Sequence, residues 1–225
     1  MTWPTAVPGG AAQPGTESAE AEAYRILRSR IDLSRLPKHS RDVTERVIYA
    51  TADFDYATDL VCDEEALAGA VAALAGGAPV VADAVMVAAG ITGCPVVCKI
   101  GETLTARLAR TAGISPPAAA IRLAFGEVGP GAVWVVGGEP AALTEILYRG
   151  VEPAFVVGMP VGFIAAAEAK DALRASGISS VSNVSEKGGA AVAAAAFDAL
   201  FRSAVTMSGS RAAGAATGKA PPEDG

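Results

Sequence analysis

The chemistry-bearing residues of this 225-residue chain cluster in short loops and at one aromatic position. In ERVIYATADFDYA, residues 45–57, Tyr49 stands at the end of a helix or strand that runs into an acidic turn. Its phenol can donate a hydrogen bond to a bound molecule, or it is a half-buried aromatic whose hydroxyl meets solvent. GGEP at 137–140 sets two glycines ahead of a helix-starting proline. That arrangement presents backbone N–H groups to an anion or merely turns the chain, and Glu139 would oppose an anion at close range. GMPVGF at 158–163 lets backbone approach a ligand or makes a tight turn. SEKGGAA at 185–191 puts Lys187 beside Gly188 and Gly189 at a helix start. A carboxylate or phosphate would be welcome there, but a solvated Glu186–Lys187 pair explains the same residues.

Other chemistries lack their residues. No GxGxxG follows the first strand and no GxxxxGKS/T occurs, which argues against a nucleotide cofactor. The single histidine, His39 in PKHS, reads as an exposed helix-cap residue and completes no serine triad. Cys62, Cys94 and Cys98 are too few for a structural zinc site, so no metal is expected, and they read as small buried hydrophobes in a reducing compartment. A formal charge of -6 with scattered Lys and Arg gives no footprint for nucleic acid. The N-terminus has neither a charged nor an apolar leader region, and no run approaches a membrane span. The reading is a cytoplasmic protein without membrane contact.

The elements that position these loops follow from periodicity. Apolar runs of strand length (APVVAD, CPVVCKI, GAVWVVGG, PAFVVGMPVGF, SSVSNV) alternate with Ala-rich helical segments (EALAGAVAALAGG, AVMVAAG, ETLTARLARTAG, PPAAAIRLAFGEV, PAALTEILYRG, AAAEAKDALRASG, GGAAVAAAAFDALFRSA). Strands that are apolar throughout predict a mostly parallel sheet covered on both faces. The expected fold is therefore a single three-layer α/β/α domain, doubly wound and Rossmann-like, over residues 19–205. Residues 1–18 and 206–225, rich in Gly, Ala, Pro and Ser, are predicted to be disordered tails. In such a fold Asp83, Gly137-Gly138-Glu139, Gly158-Met159-Pro160 and residues 182–189 gather at the carboxyl ends of the strands, around one crevice.

The order of these segments resembles the precorrin-8X methylmutase family. The resemblance rests on AYRILRSRIDLSRLP at 23–37, ERVIYATADFDYA at 45–57, GAPVVADAVMVAAGI at 77–91, AAAIRL at 118–123 and GMPVGFIAAAEAKDAL at 158–173. It implies a homodimer with no metal or nucleotide cofactor that moves a methyl group from C-11 to C-12 of a corrinoid in cobalamin biosynthesis. It also implies a histidine that protonates or hydrogen-bonds the macrocycle, and here that position is Tyr49. Other departures coincide with polar positions. The family's Thr-Arg-Ser is Ser115-Pro116-Pro117, its Gly-Asn-Ala-Pro-Thr-Ala-Leu is GGEPAAL, and two serines are Ala169 and Ala190. Carried onto this chain, Tyr49 is the catalytic position. Thr51, Asp83, Met86, Ser115, Gly137, Gly138, Glu139, Gly158, Met159, Pro160, Lys187, Gly188 and Gly189 are the substrate-binding positions, with Arg122 or Lys99 as further cations for ring carboxylates. Three readings stand at this point: a methylmutase using Tyr49 as donor, a relative turned to another small molecule, and a non-catalytic tetrapyrrole-binding protein.

Overall fold

A computed structural model describes residues 18–217. The N-terminal segment 1–17 and residues 218–225 lie outside the described residues, and with them almost all of the predicted N-terminal tail. The helices begin where polar caps stand ready. Ser18 accepts the Ala21 N–H ahead of α1 (Ala19–Arg30), Asp63 accepts that of Ala66 ahead of α4 (Glu64–Ala75), and Ser115 accepts that of Ala118 ahead of α7 (Pro116–Val128). Between α1 and α4 run α2 (Lys38–Thr51), the single-turn α3 (Tyr56–Asp59) and β1 (Leu60–Cys62). The remaining elements are β2 (Val80–Ala82), α5 (Val85–Gly90), α6 (Thr103–Ala112), β3 (Val133–Val136), α8 (Pro140–Arg149), β4 (Phe155–Gly158), α9 (Ala166–Ala175), β5 (Ser180–Asn183) and α10 (Ala190–Thr217).

The sheet order is β1-β5-β4-β3-β2, with β2 to β5 parallel in chain order and β1 antiparallel on the far edge. Along each central strand the side chains alternate between two cores. Val133, Val135, Phe155 and Val157 face α2, α4, α5 and α10, whereas Trp134, Val136 and Val156 face α7, α8 and α9. Two buried faces explain why the strands read as unbroken apolar runs, and three layers result.

One open reading is decided as helix, and three points differ from expectation. ERVIYAT is helical through Thr51, because Val43, Val47 and Ile48 recur at helical spacing and all three are buried. CPVVCKI forms no full strand: Val97 alone bridges to Val81, next to Pro95, which has no N–H for a ladder. The short β1 escaped prediction because three residues carry no periodicity. The predicted C-terminal tail is helical as far as Thr217, since its Ala-rich composition favours helix and no proline intervenes before residue 221. Within α10, residues 190–210 are also long and apolar enough to cross a membrane. Half of that window is buried inside the fold, against α2, α4 and α5, which is the situation of a core helix.

Candidate functional site

The loops leaving β2, β3, β4 and β5 pack against one another at the carboxyl edge of the sheet. Asp83, directly after β2, is 3% exposed. Its Oδ1 accepts the Gly137 N–H at 3.0 Å, and its Oδ2 accepts those of Gly138 at 2.8 Å and Glu139 at 3.3 Å. The amides read as presented to an outside anion thus already hold an internal one. Burial pushes the Asp83 carboxyl above its usual range, and the three N–H groups pull it back.

The glycines here are accounted for by the protein's own packing. A Cβ on Gly137 would stand 2.8 Å from the Ala193 Cβ, one on Gly138 2.8 Å from Asp83 Oδ2, and one on Gly158 2.5 Å from Leu173 Cδ2. Gly188, at φ 145°, would drive a Cβ into the Met159 carbonyl oxygen, and Gly189 donates its N–H to that same oxygen at 2.8 Å. Met159 and Pro160 are buried, so the Met159 side chain belongs to the core.

Lys187 reaches across to the end of α2. Its Nζ lies 2.7 Å from Asp53 Oδ2 and 2.7 Å from Asp55 Oδ2, so its partners are these two carboxylates and not the neighbouring Glu186. The lysine holds the Asp53 carboxyl below its ordinary value. Ala52, in the left-handed conformation at φ 54°, turns the chain from α2 into this acidic loop. Thr51 fixes the turn by donating its hydroxyl to the Val47 carbonyl and accepting the Asp53 N–H.

Tyr49 therefore sits on the last turn of a helix tethered to the strand-end loops. It is 38% exposed, stacks on Tyr24 with ring centroids 5.0 Å apart, and carries the Arg46 guanidinium 5.1 Å above its ring. Among the described residues its hydroxyl makes no hydrogen bond, whereas its ring is held on both counts. Tyr24 also lines a cleft of about 1030 Å³ between α1, α2 and α10. The guanidiniums of Arg28, Arg46 and Arg202 in its wall already pair with Glu45, Glu20 and Asp198. The strand-end loops hold the more specific chemistry, and Tyr49 is linked to both: to the cleft through Tyr24, to the loops through Asp53.

The remaining positions divide. Met86 is 76% exposed on α5, and with Val161, Phe163 and Ile164 after β4 it gives the carboxyl edge a group of exposed apolar side chains. Ser115 serves as the α7 cap. Neither proposed extra cation is unengaged: Arg122 pairs with Glu145 at 2.6 Å, and Lys99 with Glu102 at 2.7 Å and Glu127 at 2.6 Å. His39 is half-buried, not an exposed cap: its backbone N–H binds Glu64 at 2.9 Å and its Nδ1 is buried without a protein partner. The three cysteines are free thiols, each raised by burial, Cys62 to about 12. Among the described residues no group of His, Cys, Asp and Glu is arranged to hold a metal.

Sequence reasoning passed over Asp59 and Lys170 and gave Asn183 and Ser185 no role beyond a place in the 182–189 segment, yet these four build the base of the 184–189 loop. Asp59 accepts from Asn183 Nδ2 at 2.9 Å and from the Ser185 N–H and hydroxyl, each at 2.7 Å. One signal was available: Lys170 shares helical spacing with Ala166, Ala169 and Leu173, the buried face of α9.

Residues 18–203 match the family model described as precorrin-8X methylmutase. A precorrin-8X methylmutase of Sinorhizobium sp. is 36% identical over 192 residues, covering 80% of this chain and 91% of that protein. A cobalt-precorrin-8 methylmutase of Salmonella typhimurium is 34% identical over 198 residues, covering 82% and 94%. Among solved structures, a precorrin-8X methylmutase from Thermus thermophilus superposes with a TM-score of 0.76 at 30% identity, covering 84% of this chain and 96% of that one.

Proposed function

Because the chain belongs to the precorrin-8X methylmutase family, we propose that it catalyses a methyl shift on a corrinoid ring in cobalamin biosynthesis. The observation that carries the reading is the match over residues 18–203, which takes in every loop of the candidate site. The reaction is an isomerisation, so atoms and electrons balance within the substrate. What the protein must add is a shaped surface and a hydrogen-bond donor that favours the migrating state.

Tyr49 is the group suited to donate. Its hydroxyl is uncommitted among the described residues, and its ring is held by Tyr24 and Arg46, so little freedom is lost on binding. Unlike an imidazolium, a phenol serves as a neutral hydrogen-bond donor and not as a source of a full proton. The apolar side chains of Met86, Val161, Phe163 and Ile164 suit the faces of a macrocycle and leave its carboxylates toward solvent. A homodimer fits the same exposed apolar group, and a cytoplasmic location fits the three free cysteines.

The test is turnover of precorrin-8X by the purified protein and by Tyr49→Phe. Loss of the donor should lower kcat by about tenfold to a hundredfold with KM nearly unchanged. Equal turnover by Tyr49→Phe removes the donor role. Absence of conversion in the parent protein, with binding retained, supports a tetrapyrrole-binding role instead.

A further inference from the structure

The most unusual buried group in the molecule is a lysine. Lys170 is 0% exposed, yet among the described residues no carboxylate pairs with its ammonium. Its Nζ donates to Asn183 Oδ1 at 3.0 Å, to the Lys187 carbonyl at 2.8 Å and, at short range, to the Ser185 carbonyl. Burying an ammonium is costly unless every proton finds an acceptor, and here the three protons meet three acceptors. Two of those acceptors are backbone carbonyls of the 184–189 loop, and the third belongs to the residue that leads into it.

We infer that Lys170 is the positioning residue of the site, clamping the 184–189 loop so that Lys187 holds the end of α2 and with it Tyr49. The connection runs through named bonds. The Lys187 carbonyl is held twice, by Lys170 Nζ and by Asn183 Nδ2 at 2.9 Å. The Lys187 side chain then grips Asp53 and Asp55 on the loop that follows α2. Tyr49 lies on the last turn of that helix. The loop is also pinned to the neighbouring strand exit, where the Gly162 N–H reaches the Glu186 carbonyl at 3.1 Å and the Gly189 N–H reaches the Met159 carbonyl. The charged groups facing the ammonium are Asp59, Arg174 and Glu186. Burial pulls Lys170 down to about 8, with Arg174 acting in the same sense and Asp59 and Glu186 against it. A methionine would fill the same space without a single donor, leaving the Ser185 and Lys187 carbonyls with only their bonds from Asn183 Nδ2.

The inference rests on the Tyr49 reading above, so its test has one arm that needs no turnover. Lys170→Met and the parent protein are digested under native conditions with a protease that cuts after lysine, and cleavage after Lys187 is compared with cleavage after Lys99. Cleavage after Lys187 should rise about tenfold or more over the Lys99 site, as local opening exposes it. In the second arm, kcat on precorrin-8X per folded protein should fall by about tenfold with KM within about threefold, as expected for a displaced donor. Lys187→Gln, which removes only a partly exposed side chain, should reproduce the kcat loss without the cleavage readout and covers the case in which Lys170→Met does not fold. An unchanged Lys187-to-Lys99 cleavage ratio overturns the clamp. Normal kcat in Lys187→Gln overturns the link to Tyr49. If the parent protein converts no precorrin-8X, the functional reading fails, while the cleavage ratio still decides the clamp.

Discussion

Replacing Asp83 by alanine should strip three backbone N–H groups of their acceptor at once. Gly137 is buried and Gly138 half-buried, while Glu139 is exposed and bonds at the longest distance, 3.3 Å, so water can replace the carboxylate there. Two deprived donors at about 1–3 kcal/mol each, less the relief of no longer burying a carboxylate, give a net loss of about 2–4 kcal/mol. For a chain of this length that is roughly 4–16 °C in Tm, with a lower urea midpoint and an unchanged slope. The variant also vacates a small anion-shaped space lined by N–H groups. Formate should therefore stabilise Asp83→Ala more than the parent protein, by about 1.4 kcal/mol when present at roughly ten times its dissociation constant. A Tm within about 1 °C of the parent, or an equal response of both proteins to formate, would refute the view that Asp83 occupies an anion nest.

Other perturbations separate local causes. Gly188→Ala should cost about 2 kcal/mol or more, because a Cβ at φ 145° strikes the Met159 carbonyl, whereas Gly126→Ala, in open space on α7, should stabilise by about 0.5–1 kcal/mol; chemical denaturation reads both. Asp59 is held below its ordinary value: burial alone would raise it, but bonds from Ser185, Asn183 and Val184 outweigh that. A depressed carboxyl contributes its stability above the unfolded pKa and loses it as pH falls through the folded one, so the destabilisation by Asp59→Asn should be full at neutral pH and fade below about pH 4 in a Tm series. Phe163→Ser removes a side chain that is 97% exposed, so it should leave Tm within about 1 °C while raising KM for precorrin-8X if the apolar edge meets the macrocycle.

Which parts of this were legible in the sequence follows from range. The central strands were readable because each is buried on both faces, and α4 to α9 were readable because one apolar stripe recurs every turn. CPVVCKI misled because an apolar run says nothing about whether a partner strand is free to pair with it. The end of α10 misled because alanine and glycine content was read as disorder, although alanine is also the best helix former. In the site, the strand-exit loops were legible as positions but not as partnerships. Asp83 meets amides more than fifty residues away, and Lys187 meets a carboxylate 134 residues away.

That difference has a chemical consequence. Reading residue types alone counts Glu139 amides, Lys187, Lys99 and Arg122 as groups awaiting a ligand, yet each is already satisfied within the fold. Buried and half-buried charges find one another first, because the cost of leaving them unpaired exceeds what an occasional ligand returns. A polycarboxylate ring would thus gain little from displacing these pairs, and under the proposed function its recognition would fall to the exposed apolar edge. In the proposed reaction the donor would be the hydroxyl of Tyr49, which has no described protein partner, and the inferred Lys170-to-Asp53 chain would hold its helix in place.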